Sequence, residues 1–147
     1  MTRAVVAFGL FGAALPFGAA ASGMEVQVVS VRAAERGPSD SELQPLRARL
    51  RKLVGYRFYR VVQQERRLCT WRNPEEFMIP GGRSLRIMPK GMRDEAVTMQ
   101  VRLLDGRRRL IDTDVRLRNR GTMLLGVGPQ TGPADGVLII MLKAEAR

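Results

Sequence analysis

The chain has 147 residues, with 25 basic side chains against 14 acidic ones, no histidine and a single cysteine, Cys69. That length holds one domain rather than two, and 45% hydrophobic with 27% charged residues is the composition of a globular protein rather than a disordered tail. The histidine and cysteine counts exclude Ser-His-Asp and Cys-His catalysis, histidine-ligated metals, a zinc knuckle and an internal disulfide.

Residues 1–22 read as a secretory signal peptide. Arg3 is the only charge there, Ala4 to Ala21 is apolar or small, and Ala19-Ala20-Ala21 offers a small-x-small cleavage site before Ser22. The competing reading is an uncleaved membrane anchor. A spanning helix wants about 20 apolar residues, whereas this stretch has 18, among them Gly9, Gly12, Gly18 and Pro16. No cysteine follows it to take a lipid. The expectation is an exported chain, in the periplasm or at the cell surface, whose mature part is a single β-rich domain at 23–147. The longest later apolar run, 137–142, has the length of a strand and not of a span, so no transmembrane segment is expected in the mature chain.

Net charge is +11, and removal of Arg3 leaves 11 − 1 = +10. Arginine outnumbers lysine heavily: the only lysines are Lys52, Lys90 and Lys143. Two readings stand side by side. One is a surface built for polyanions, since guanidinium pairs bidentately with phosphate and carboxylate. The other is a compositional preference for arginine wherever a solvated cation is wanted. Export argues against nucleic acid as the physiological polyanion, although salt-sensitive binding in vitro follows from charge alone.

In chain order, Glu25–Arg32 carries a β-branched run with partial alternation and reads as the first strand. Gly37-Pro38 marks a loop. Residues 41–54 then read as one amphipathic helix. Ser41 and Gln44 fit a capping box, Pro45 sits in the first turn, Leu43, Leu46, Leu50, Leu53 and Val54 recur at helical spacing, and Gly55 closes it. Its apolar stripe is expected to pack over one edge or open end of a sheet, with Arg47, Arg49, Arg51 and Lys52 outward.

Residues 56–71 read as two aromatic-containing strands; Cys69 is either buried and inert or available for an intermolecular bond, and its large apolar neighbours Leu68 and Trp71 favour burial. Glu76–Pro80 and Ser84–Met88 flank a Gly81-Gly82 turn, and Pro89-Lys90-Gly91 reads as a loop. Ala96–Leu104 alternates most cleanly, Asp105-Gly106 signals a hairpin, and the return strand runs from about Arg108 to Arg118. Asn119-Arg120-Gly121 is a turn, Thr122–Val127 a strand, 128–136 a Gly/Pro loop, and Val137–Lys143 the last strand. The expected fold is mainly β (α+β): an antiparallel β-sandwich or partial barrel of about eight short strands, with one amphipathic helix after the first strand.

Four features invite a chemical reading. Gly126–Gly132 looks like a phosphate loop but lacks the Lys-Ser/Thr of a P-loop and a following helix, so it reads as a connecting loop. Asp112 and Asp114 share a strand face near Asp105. They read as partners in cross-strand ion pairs rather than as a hydrolytic or metal-binding pair. Tyr56, Phe58, Tyr59 and Trp71, interleaved with Arg57 and Arg60, resemble a stacking platform but read as core aromatics. The strongest binding candidate is the Arg107-Arg108-Arg109 hairpin tip. Together with Arg102, Arg116, Arg118 and Arg120 it forms an expected continuous basic surface, seconded by Arg47 and Arg51 on the helix.

The order of a valine-rich strand, a leucine-spaced helix, a Tyr-x-Phe-Tyr strand, the hairpin at 77–87 and the apolar C-terminal strands resembles short exported bacterial envelope proteins of unknown function. The resemblance spans most of the mature chain, implies an envelope location and carries over no catalytic residue. The functional expectation is therefore a non-enzymatic accessory domain that binds an envelope protein partner and needs no cofactor or metal. The alternative is binding of an anionic envelope polymer or lipid headgroup through the arginines.

Overall fold

The computed structural model describes residues 22–37, 39–127 and 137–147. The expected signal peptide up to Ala21 and the Gly/Pro loop at 128–136 lie outside the described residues. Eight strands form: β1 (Gly23–Ala34), β2 (Phe58–Thr70), β3 (Glu75–Ile79), β4 (Arg83–Arg93), β5 (Ala96–Asp105), β6 (Arg108–Arg118), β7 (Thr122–Val127) and β8 (Val137–Ala146). A 3₁₀ segment, Ser41–Leu46, leads into the helix α1 (Arg47–Val54). The strands make two four-stranded antiparallel sheets, in the orders β2-β1-β8-β7 and β3-β4-β5-β6. This is the sandwich expected from the alternation and turn spacing.

Alternation decides which face each residue serves. Met24, Val26 and Val28 of β1, Leu138, Ile140 and Leu142 of β8, and Leu85, Ile87, Val97, Met99 and Val101 of the second sheet meet in the space between the sheets, around Phe77. The other parity of β1 and β8 supplies Val29, Val31, Ala33, Ile139 and Met141, which pack under Leu43, Leu50 and Tyr59. The first sheet is thus buried on both faces in its central strands. That explains why β1 and β8 read as nearly continuous apolar runs, with only partial alternation.

Four details depart from the sequence reading. Residues 41–54 are not one helix, because α-helical geometry begins only at Arg47, and the 3₁₀ segment ahead of it contains Pro45, which has no N–H to give. The capping box does not form. Asp40 occupies the N-cap without a side-chain cap bond, and its Oδ2 instead accepts from the Val61 N–H at 2.7 Å. Residues 58–70 are one strand, since a register shift at Ser30/Val31 lets β2 follow β1 without a break. β4 runs through Pro89, which sits at a register shift between Pro89 and Gly91, the kind of irregularity where a strand tolerates proline.

The helix covers the outer face of the first sheet rather than an edge or end of the sandwich, although its Leu53 side reaches the flank described next. Gly55 ends it in the left-handed conformation at φ 75°, donating its N–H to Arg51 O at 2.8 Å. Among the described residues, no helix is long and apolar enough to cross a membrane.

Candidate functional site

Each sheet ends in two edge strands, and the sandwich therefore has two flanks: β2 beside β3, and β6 beside β7. The first is closed by side chains. Arg67 faces inward across the gap from β2. Its Nη1 donates to Glu76 O at 2.7 Å and to Glu75 Oε2 at 3.2 Å, and its Nε donates to Glu65 Oε1 at 2.9 Å. The guanidinium lies 4.6 Å from the centroid of the Phe77 ring. Gln63 Nε2 donates to Met78 O at 2.7 Å. The outer edge of β2 is met by the chain just before the 3₁₀ segment: Tyr59 N–H donates to Ser39 Oγ at 3.1 Å and Asp40 N–H to Tyr59 O at 2.9 Å. Hydrogen bonding to Glu65 raises the pKa of Arg67, outweighing the opposing effect of burial, so this clasp holds a fixed cation.

The second flank is a groove of about 500 Å³ between β6, β7 and the last turns of α1. Leu53, Val115, Leu117, Met123 and Leu124 supply apolar lining, while Arg49, Lys52 and Arg116 supply three cations. Among the described residues, no carboxylate lines it. Among the described residues Arg116 pairs with Asp94 alone, at 3.9 Å, and Arg49 Nη2 meets Thr122 O at 3.4 Å. Leu53 is 45% exposed. β7, with the sequence Thr-Met-Leu-Leu-Gly-Val, has no charged residue, unlike β2, β3 and β6. Charge is the usual protection of an exposed strand edge, and β7 lacks it.

The arginines expected to make one basic surface are distributed. Arg102, Arg109, Arg116 and Arg118 lie on the outer face of the second sheet, by register with Asp112, Leu104, Thr98 and Ala96 respectively. Gly106 and Arg107 form the two-residue hairpin loop, with Gly106 at φ 61°, and Arg108 stands opposite Asp105. Arg120 turns toward the first sheet, where its Nε meets Glu145 Oε1 at 3.1 Å. Arg47 and Arg51 ride on the helix over that same sheet, near enough to Tyr59 for their charge to offset part of the rise in its pKa that burial produces. Arg47 Nη2 donates to Arg57 O at 3.4 Å.

Carboxylates interrupt the basic face. Asp112 takes Arg102 Nε at 3.2 Å, Arg109 Nη1 at 3.3 Å and Gln100 Nε2 at 3.2 Å. Asp114 takes Lys90 Nζ at 2.9 Å. Desolvation pushes the Asp112 carboxyl up, but Arg102, with Gln100 and Arg109, more than reverses it, and the net shift is downward. Both aspartates are engaged in ion pairs, and Asp112 is a settled carboxylate rather than a poised acid. Cys69 is fully buried, and burial pushes its thiol up to about 11.

No family model, curated protein or solved structure matches the chain.

The sequence reading missed the groove. Val115, Leu117, Met123 and Leu124 were legible as strand residues and Leu53 as a helix-stripe residue. Their convergence depends on β6 and β7 both being edges, which the pairing of β8 with β1 decides. The uncharged composition of β7 was the one available signal.

Proposed function

We propose that this chain is an exported, non-enzymatic binding domain of the bacterial envelope, and that its partner is a protein that inserts an extended segment into the β6/β7 groove. The observation that carries this reading is the groove itself: apolar lining, three cations, no carboxylate among the described residues, and an uncharged edge strand along one wall. An edge strand recruits a partner strand through its free backbone groups, and the side-chain pockets beside it set the sequence. Here those pockets favour alternate apolar residues directed at Met123 and Val115, with acidic residues directed at Arg49, Lys52 and Arg116. Such an interface draws affinity from apolar burial and selectivity from charge.

A test uses short synthetic peptides that alternate valine or leucine with glutamate, and matched peptides with lysine in place of glutamate. The acidic peptides should shift the backbone amide resonances of Thr122–Val127, the lysine peptides should not, and Leu53→Asp should abolish the response. Equal binding of both peptides, or shifts confined to other strands, would overturn the reading. Crosslinking of the tagged chain in intact cells, with wild type and Leu53→Asp compared, then identifies the partner whose capture depends on the groove.

A further inference from the structure

The outer face of the second sheet holds a second concave feature, independent of the groove. Pro74, Arg86, Met88, Gln100 and Arg102 enclose a notch of about 230 Å³. Arg86 and Arg102 are direct partners in the β4–β5 ladder and flank it. Like charges placed directly opposite one another on a sheet repel, and opposite charges are the stabilising choice there. Neither arginine relieves the other. Arg102 uses its Nε on Asp112, and no bond of its two terminal nitrogens is found among the described residues. Arg86 makes no ion pair among them, although Glu76 stands opposite it on β3.

We propose that this notch is a binding site for a phosphate group, held between the Arg86 guanidinium and the terminal nitrogens of Arg102. The chemistry follows from the geometry of the donors. A guanidinium presents a planar fork that fits two oxygens at once. A carboxylate holds its two oxygens in one plane, and a fork that takes both head-on leaves only their outer lone pairs for a second donor. A phosphate has enough oxygens to accept one fork from each side, so two facing arginines select it. Asp112 sits behind Arg102 and orients it, while Pro74 and Met88 give the notch apolar walls that limit competing water. A bound phosphate would also remove the repulsion between the two cations, so occupancy should raise stability.

The test has two readouts, both taken at constant ionic strength. Titration with inorganic phosphate or glycerol phosphate should shift the amide resonances of Arg86, Gln100 and Arg102 saturably. Loss of one charge-assisted fork in Arg86→Gln should weaken that response by roughly tenfold or more. In thermal melts, phosphate should raise Tm of the wild type and of Arg118→Gln, a control elsewhere on the same face, but not of Arg86→Gln. Without phosphate, Arg86→Gln should melt at or above the wild-type Tm, because it removes the facing charge. An equal response to acetate, an equal response in Arg86→Gln, or a loss of stability in that variant without phosphate would overturn the proposal. Cosedimentation with phosphatidylglycerol vesicles, lost in Arg86→Gln, would identify a lipid headgroup as the source. Saturable binding of soluble phosphate without vesicle retention would identify a free phosphorylated ligand.

Discussion

The two flanks of the sandwich solve the same problem in opposite ways. Both are gaps between edge strands of stacked sheets, where apolar core meets unpaired backbone. At β2/β3, Arg67 and Gln63 reach across to the carbonyls of Glu76 and Met78, and Ser39 and Asp40 cover the β2 edge. At β6/β7, the gap remains a groove with an exposed leucine and three lining cations, of which Arg116 meets Asp94 at 3.9 Å. Edge strands invite association, and proteins ordinarily blunt them with charge or cover. A chain that blunts one flank thoroughly and leaves the other apolar has a directional surface. That contrast, more than total charge, is the physical basis for proposing a partner at β6/β7.

Phe77 is fully buried where the clasp meets the core. Phe77→Ala should lower unfolding free energy by about 3–5 kcal/mol, the usual loss for a core aromatic, measured by urea titration. Arg67→Ala should have a smaller effect, about 1–3 kcal/mol, since it strands Glu75 and the Glu76 carbonyl beside the gap. Cys69 reports on the same flank. Burial and the raised pKa keep it a thiol at neutral pH, so aromatic disulfide reagents should modify it slowly in the native protein and quickly in the urea-unfolded chain. The sign of the linkage follows. Because the folded value lies above the ordinary value of 9.0, this group's contribution to stability is full below pH 9 and is lost as pH rises through about 11. The smallest effect belongs to the open flank. Leu53→Asp should change stability by no more than about 0.5 kcal/mol, because the side chain is already half in water, yet it should remove peptide binding. A large loss of stability in that variant would mean that the groove is structural and the flanks are alike.

Much of the architecture was legible in local patterns. The β5–β6 hairpin followed from strict alternation around Asp105-Gly106, and the structure turns there through Gly106 and Arg107. The helix followed from leucine spacing. Its first turns did not, because Asp40 is drawn to the Val61 amide instead of capping the helix, a contact 21 residues away along the chain. The strand through Pro89 was also hidden, because a proline signals a loop unless a bulge removes the need for its N–H. The arginine list was readable as a list, but not as surfaces. Cross-strand ion pairs of Asp112 and Asp114 were readable, but their partners Arg102 and Lys90 were not, and Arg86 becomes a partner of Arg102 only through the β4–β5 ladder.

The sequence by itself determined a mainly β fold, the alternation of its clearest strands, one helix after the first of them, and the exclusion of histidine and internal disulfide chemistry. These depend on periodicities of two and 3.6 residues and on composition, which are local. Only the tertiary structure decided which strands are edges, which flank is closed and which arginines face one another. That β7 rather than β8 is an edge depends on β8 returning to pair with β1, more than a hundred residues earlier in the chain, a span that leaves no trace in any short window of sequence, while the facing arginines depend on the β4–β5 register, which shifts between Pro89 and Gly91.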